Sequence, residues 1–279
     1  MQEKNVTEIL SELVKIKSIS SDKNHIADVK KSAEFVEKLF LELGLQTKIA
    51  TSGNSRPAVL AQTEINPDRK TVLLYAHHDV QPVGDINKWE TDPFNPEIIN
   101  GRLFGRGSGD NKAGVVIHHE VVKELMKDLP VNIKIFIEGE EEIGSPCMAQ
   151  FLDEFNKELE ADVIVIADSG NIRIGTPTVT TSLRGLVDGF IEVDQPMRPV
   201  HSGVGGGVVP DAFMVLSKII ASFHNEKGEL QIEGLTSSDM DVLELKEEEI
   251  KKIFGSEDIN LFELDSISKR LWLEPALSI

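Results

Sequence analysis

Three short apolar runs rich in β-branched residues, TVLLYA (71–76), VNIKIFIE (131–138) and DVIVIAD (162–168), are separated by stretches with helical periodicity. Runs of this length and composition read as strands buried on both faces. Their alternation with helices selects an α/β architecture over an all-β or bundled one. The fold expected is a three-layer sandwich on a mixed, largely parallel central sheet. Helices are predicted over NHIADVKKSAEFVEKLFLELGL, where Ile26, Val29, Ala33, Val36, Phe40 and Leu43 share a face and Gly44 suits a C-cap. A shorter helix is predicted in VTEILSELVKI, and others over about 113–128 and 146–159.

The pattern breaks at GTPTVTTSLR (175–184), which reads as a boundary between a first domain, residues 1–180, and a second, 181–279. In the second, GLVDGFIEVD reads as a strand and HSGVGGGVVP as a glycine-rich turn. PDAFMVLSKIIASF reads as a helix with proline in its first turn, and KEEEIKKIF as a short helix.

Charge narrows the function. With 29 basic against 47 acidic residues the formal net charge is −18, which repels phosphate backbones and anionic lipid, so neither nucleic acid nor a membrane surface is an expected partner. No apolar run approaches a membrane span. The charged, amphipathic start MQEKNVTEILSELVKI does not read as a signal peptide. The single cysteine, Cys147, has no intrachain partner and fits a reducing cytoplasm.

Acidic and histidine residues gather where strands end. His77, His78 and Asp79 follow TVLLYA. Glu138, Glu140, Glu141 and Glu142 follow VNIKIF. Asp168 follows DVIVIA, and Asp110 lies in GRGSGDNKAG before a helix. In open α/β sheets this edge is where ligands bind. Singly each has a plain reading: surface histidine, solvated loop, N-cap aspartate, turn residue. Jointly they suit a metal centre, with Asp79 placed to accept a hydrogen bond from the His77 imidazole. His118 and His119 fall inside a helix, one expected half-buried and the other exposed, and neither is a candidate ligand. No P-loop, nucleophile elbow or complete dinucleotide fingerprint competes.

The ordered motifs HHDVQP, KWETDPFNPEIINGRLFGRGSGDNKAG, EGEEEIGS, DSG and HSGVGGG resemble those of the co-catalytic zinc peptidases. That family includes carnosinase-type dipeptidases, carboxypeptidase G, aminoacylase and a desuccinylase. DVQP with EGEEEIGS is most similar to the dipeptidase branch. The resemblance implies two Zn²⁺ ions, with Mn²⁺ or Co²⁺ as alternatives, and hydrolysis of a dipeptide or of an N-acyl amino acid. It implies that His77 and Asp168 bind one ion and Glu142 the second, while Asp110 bridges them. Asp79 orients His77, and Glu141 is the general base; His78 is not a ligand.

It further implies that the second domain is a lid and dimerisation domain of α+β type, incomplete here. Its His201 would reach a partner's active site in a homodimer, and Arg184 matches a recurrent position. Family members are longer, and their returning segment supplies a last histidine ligand. None follows His224, so a catalytically incomplete relative that binds metal or a partner chain is a third expectation.

Overall fold

The structure is a computed structural model that describes residues 5–194 and 198–279. The first four residues of the amphipathic N-terminal stretch lie outside the described residues. The chain divides into two compact units, residues 1–178 and 179–279.

In the first unit, α1 (Val6–Val14) begins with a capping box. Asn5 accepts from the Glu8 N–H while the Glu8 carboxylate accepts from the Asn5 N–H. Helix α2 (Ile26–Glu42) buries Val29, Ala33, Val36 and Phe40, the face that the sequence spacing marks. It stops where Gly44 takes φ +88°. Leu45 N–H then reaches the Phe40 carbonyl and Gly44 N–H the Leu41 carbonyl, a Schellman closure that a residue with a Cβ would strain.

Strands β1 (Gln46–Ala50), β2 (Ala58–Gln62) and β3 (Thr71–His77) follow. A small hairpin of β4 (Glu97–Ile99) and β5 (Arg102–Phe104) stands apart from the main sheet. Then come α3 (Lys112–Leu125), β6 (Asn132–Glu138), α4 (Met148–Glu154), α5 (Asn156–Leu159) and β7 (Val163–Ile166). The helix expected over 146–159 is thus two pieces that meet at Phe155.

The main sheet has the order β1-β2-β6-β3-β7. Pairing is antiparallel from β1 to β6 and parallel among β6, β3 and β7. The sheet is mixed, as the alternation of elements suggests, and its parallel part carries the candidate site.

Alternation along the strands separates two cores. Ala61, Leu74, Ala76, Ile133, Ile135 and Ile137 pack with Leu13, Val36, Phe40 and Val115 from α1, α2 and α3. On the opposite face Leu60, Leu73 and Phe136 pack with Phe151 and Leu159 from α4 and α5, with the Phe136 and Phe151 rings stacked at 5.2 Å. The result is three layers. Phe40, fully buried, contributes on the order of 2–3 kcal/mol by leaving water.

The second unit contains α6 (Ser202–Gly205), α7 (Ala212–Ala221), α8 (Glu247–Phe254) and α9 (Ile267–Trp272). Two expectations are corrected there. GLVDGFIEVD (185–194) forms no strand; Leu186, Val187 and Phe190 are almost wholly exposed, and a strand needs a neighbour to complete its hydrogen-bond ladder. Helix α7 is capped by Asp211, whose carboxylate accepts from Met214 N–H, so Pro210 precedes the cap instead of occupying the first turn. Among the described residues of this unit the strand-like pairing is one bridge, His224 with Leu230. Its small core holds Leu245 and Ile250, and the Ser268 hydroxyl accepts from Leu245 N–H at 2.7 Å.

Candidate metal centre

β3 ends at His77, and the parallel register sets Glu138 of β6 beside it. Two residues beyond β7 lies Asp168. Asp110 comes from the loop before α3, and Glu141 and Glu142 from the single 3-10 turn 141–143 after β6. All sit at the carboxyl ends of the parallel strands.

His77 is the centre. Its Nδ1 lies 3.2 Å from the Asp79 carbonyl oxygen and 3.4 Å from the Asp79 carboxylate. Donation from Nδ1–H on that side leaves Nε2 facing outward. There three carboxylates converge on it: Asp110 at 3.1 Å, Glu141 at 3.7 Å and Asp168 at 3.7 Å. Ligand atoms of His77, Asp110 and Asp168 all lie within 4.8 Å of one another. Burial works against a charged His77 imidazole, but Asp79, Asp168 and Glu141 outweigh it and push the pKa up to about 9. A nitrogen faced by three carboxylates needs a cation, and a proton supplies one. One nitrogen with carboxylate oxygens is also a donor set that divalent zinc, manganese or cobalt accepts, so these residues fit a metal ion.

The neighbouring carboxyls respond to the same crowding. Burial raises the Glu141 pKa, with the charges of Asp168, Glu142 and Asp79 adding to it and His77 opposing. Glu142 is likewise raised, first by burial, with Gln81 opposing and Asp110 adding. Burial also works against the Asp79 charge, yet the His77 interaction holds that carboxyl below its ordinary range.

Glu142 lies outside the three-residue group. Its carboxylate accepts from the Gln81 side-chain amide at 2.9 Å, and its backbone N–H donates to the Asp79 carboxylate at 3.1 Å. His78 turns away: fully buried, its Nε2 lies 2.9 Å from the Pro57 carbonyl. Asp110 is not an N-cap, because α3 begins after Asn111. His118 and His119 are both buried, not one exposed. The first meets the Tyr75 carbonyl, and the second meets Glu120 and the edge of Phe40. His201 belongs to the second unit, where it is exposed and its Nδ1 accepts from Gly203 N–H. Arg184 there donates to the Glu274 carbonyl.

Sequence reasoning did not single out three residues that build the site. Asn111, 1 % exposed, donates through its side-chain amide to the Ala167 carbonyl and to the Asp168 carboxylate, tying the α3 loop to the end of β7. Gln81 holds Glu142. Lys112, fully buried, donates to the Leu13 and Ile16 carbonyls at the end of α1, and burial pushes its pKa down to about 7. The polar run Asp-Asn-Lys in a glycine-rich loop is the signal that Asn111 and Lys112 leave; only a three-dimensional partner gives each of the three residues a role.

Comparison with known proteins gives the class. The sequence model of Peptidase family M20/M25/M40 matches residues 73–265, and the chain belongs to that family. It is 36 % identical over 232 residues to the cysteinylglycine-S-conjugate dipeptidase of Corynebacterium striatum, covering 82 % of this chain and 51 % of that one. To the human Beta-Ala-His dipeptidase it is 32 % identical over 241 residues, 80 % of this chain and 47 % of the relative. In three dimensions it matches an M20 family metallo-carboxypeptidase, Sso-CP2 from Sulfolobus solfataricus. The TM-score is 0.74 at 29 % identity, over 94 % of this chain and 61 % of that one. The chain spans about half the length of the curated relatives it matches.

Proposed function

We propose that this chain carries the metal centre of a dipeptidase that cleaves a dipeptide with a water activated by two zinc ions. The observation that carries the reading is the convergence of the Asp110, Glu141 and Asp168 carboxylates on His77 Nε2. The family and the dipeptidase names of its relatives support it.

His77 and Asp168 would hold one ion, Glu142 the other, and Asp110 both. Bound there, the pair of ions would polarise the scissile carbonyl and acidify water. Asp79 keeps the proton of His77 on Nδ1, which leaves Nε2 as a lone-pair donor. Glu141 takes the proton of the attacking water and delivers it to the leaving amine. Its raised carboxyl pKa brings it nearer the pH at which a base both accepts and returns a proton. Residues 1–180 are assigned as the catalytic domain and 181–279 as the lid, from which His201 would reach the active site of the partner subunit. A homodimer in the cytoplasm completes the reading.

The test is hydrolysis of Cys-Gly and β-Ala-His by the zinc- or manganese-loaded protein, beside N-acetyl amino acids. Cleavage of the dipeptides, abolished in Glu141→Gln with its metal content unchanged, is the expected result. Preference for the N-acyl compounds would redirect the assignment to deacylation, and full activity of Glu141→Gln would remove Glu141 as the base.

A further inference from the structure

The turn that carries Glu141 and Glu142 is short and partly exposed, yet both side chains must be placed to within a fraction of an ångström if they are to act together. What holds it is a carboxylate beside the site that takes no part in the cluster. Glu140 is 5 % exposed. Its Oε2 accepts from the Arg56 backbone N–H at 2.9 Å and its Oε1 from the Cys147 backbone N–H at 3.0 Å. Its own carbonyl accepts from Ser145 N–H at 3.0 Å. One side chain therefore fastens the two ends of the turn, where β6 ends and α4 begins, to the loop before β2.

Within that loop Arg56 is anchored through its side chain as well. The Arg56 guanidinium donates twice to the Ser20 carbonyl, at 3.0 and 3.2 Å. The Ser18–Ser20 segment is in turn bound to the end of β3: Val80 N–H donates to the Ser18 carbonyl, and the Ser18 hydroxyl to the His78 carbonyl. The last link is Glu142 N–H to the Asp79 carboxylate. These contacts close a ring that runs from Asp79 through Ser18–Ser20, Arg56 and Glu140 to Glu142 and back to Asp79. Gly139 tightens it, since a Cβ there would lie 2.3 Å from the Pro57 carbonyl.

We infer that Glu140 and Arg56 are positioning residues that set the Glu141–Glu142 turn against His77 and Asp79. The inference rests on the reading of Glu142 as a metal ligand given above. A buried carboxylate with each oxygen on a backbone N–H has a geometric job that an amide fills badly, because one of its two ends is a donor. Outer partners of metal ligands typically govern affinity by about 10- to 100-fold.

The experiment compares wild type, Glu140→Gln, Arg56→Met and Glu142→Gln. It reads amide hydrogen exchange of peptides covering 139–147 in the metal-free proteins, and Co²⁺ affinity with its visible d–d spectrum. The expected result for Glu140→Gln and Arg56→Met is faster exchange confined to that turn, roughly tenfold weaker Co²⁺ binding and an altered spectrum. Arg56→Met supplies the answer should Glu140→Gln fail to fold. Unchanged exchange in the turn overturns the inference. So does faster exchange with wild-type affinity and spectrum, which would make the ring merely structural. Glu142→Gln reports on the underlying reading in a separate protein: if it binds Co²⁺ like wild type, Glu142 is no ligand, and the inference, which rests on that reading, is overturned with it.

Discussion

The backbone N–H of Glu142 donates to the carboxylate of Asp79 at 3.1 Å, and the same carboxylate lies 3.4 Å from His77 Nδ1. One buried group thus faces both the imidazole at the end of β3 and the turn after β6. Asp79→Asn keeps the volume but replaces one acceptor with a donor and removes the charge that offsets the cost of burying a cationic His77. Zinc affinity should fall about 10- to 100-fold, measured by competition with a chromophoric chelator. An affinity within twofold of wild type would leave Asp79 without the orienting role.

Proton linkage at His77 has a definite sign. The imidazole is raised from an ordinary 6.5 to about 9, so its stabilising contribution is complete below 6.5 and lost as pH rises through 9. A metal ion needs the same Nε2 lone pair and must displace that proton. Between pH 7 and 9 zinc affinity should therefore rise by roughly tenfold per pH unit on account of this group. Titration calorimetry near pH 7.5 in buffers of different ionisation enthalpy should show about one proton released from it. Heats independent of the buffer would contradict the assignment.

Close approach between α3 and the end of β7 predicts intolerance of any side chain at Gly114. A Cβ there would lie 2.1 Å from Asn111 Oδ1 and 2.4 Å from the Ala167 carbonyl. Gly114→Ala should destabilise by about 3 kcal/mol or more. Asn111→Ala, which leaves the partly buried Ala167 carbonyl and Asp168 without their donor, should lose about 1–3 kcal/mol. Urea unfolding of the metal-free proteins measures both. In the double variant the losses should be less than additive, because the amide that blocks the Cβ is gone.

Much of the fold is legible from periodicity. The face of α2 from Val29 to Phe40 and the runs at 71–77 and 132–138 announce themselves because burial on a helix stripe or on both sheet faces leaves a strong apolar pattern. The run at 163–166 does form a strand, but the expectation that it is buried is corrected: β7 is the edge of the sheet and Val163 to Ile166 are all exposed. Strand β1 does not announce itself: Gln46 and Lys48 are exposed, Thr47 and Ile49 only half-buried and Ala50 alone buried, so it is defined by its pairing with β2. The hairpin 97–104 and helix α9 are similarly quiet. The segment 185–194 errs the other way, because apolar alternation marks a willingness to pair and the partner must still be present.

The site divides along the same line. Acidic and histidine residues at strand ends are conspicuous in the sequence, and His77, Asp110 and Asp168 do come together. Asn111, Gln81 and Glu140 gain their meaning from partners 56, 61 and 84 residues away. No local pattern encodes a contact at such separation, and Glu140 in particular is hidden among three other glutamates.

The most direct test of the metal centre is zinc content after loading and desalting, in wild type and in Asp110→Ala. Asp110 is the carboxylate nearest His77 Nε2, at 3.1 Å, and the one assigned to both ions. Wild type should retain zinc and Asp110→Ala should retain almost none, with far-ultraviolet circular dichroism unchanged. Equal zinc in the two proteins would contradict a centre built on His77, Asp110 and Asp168.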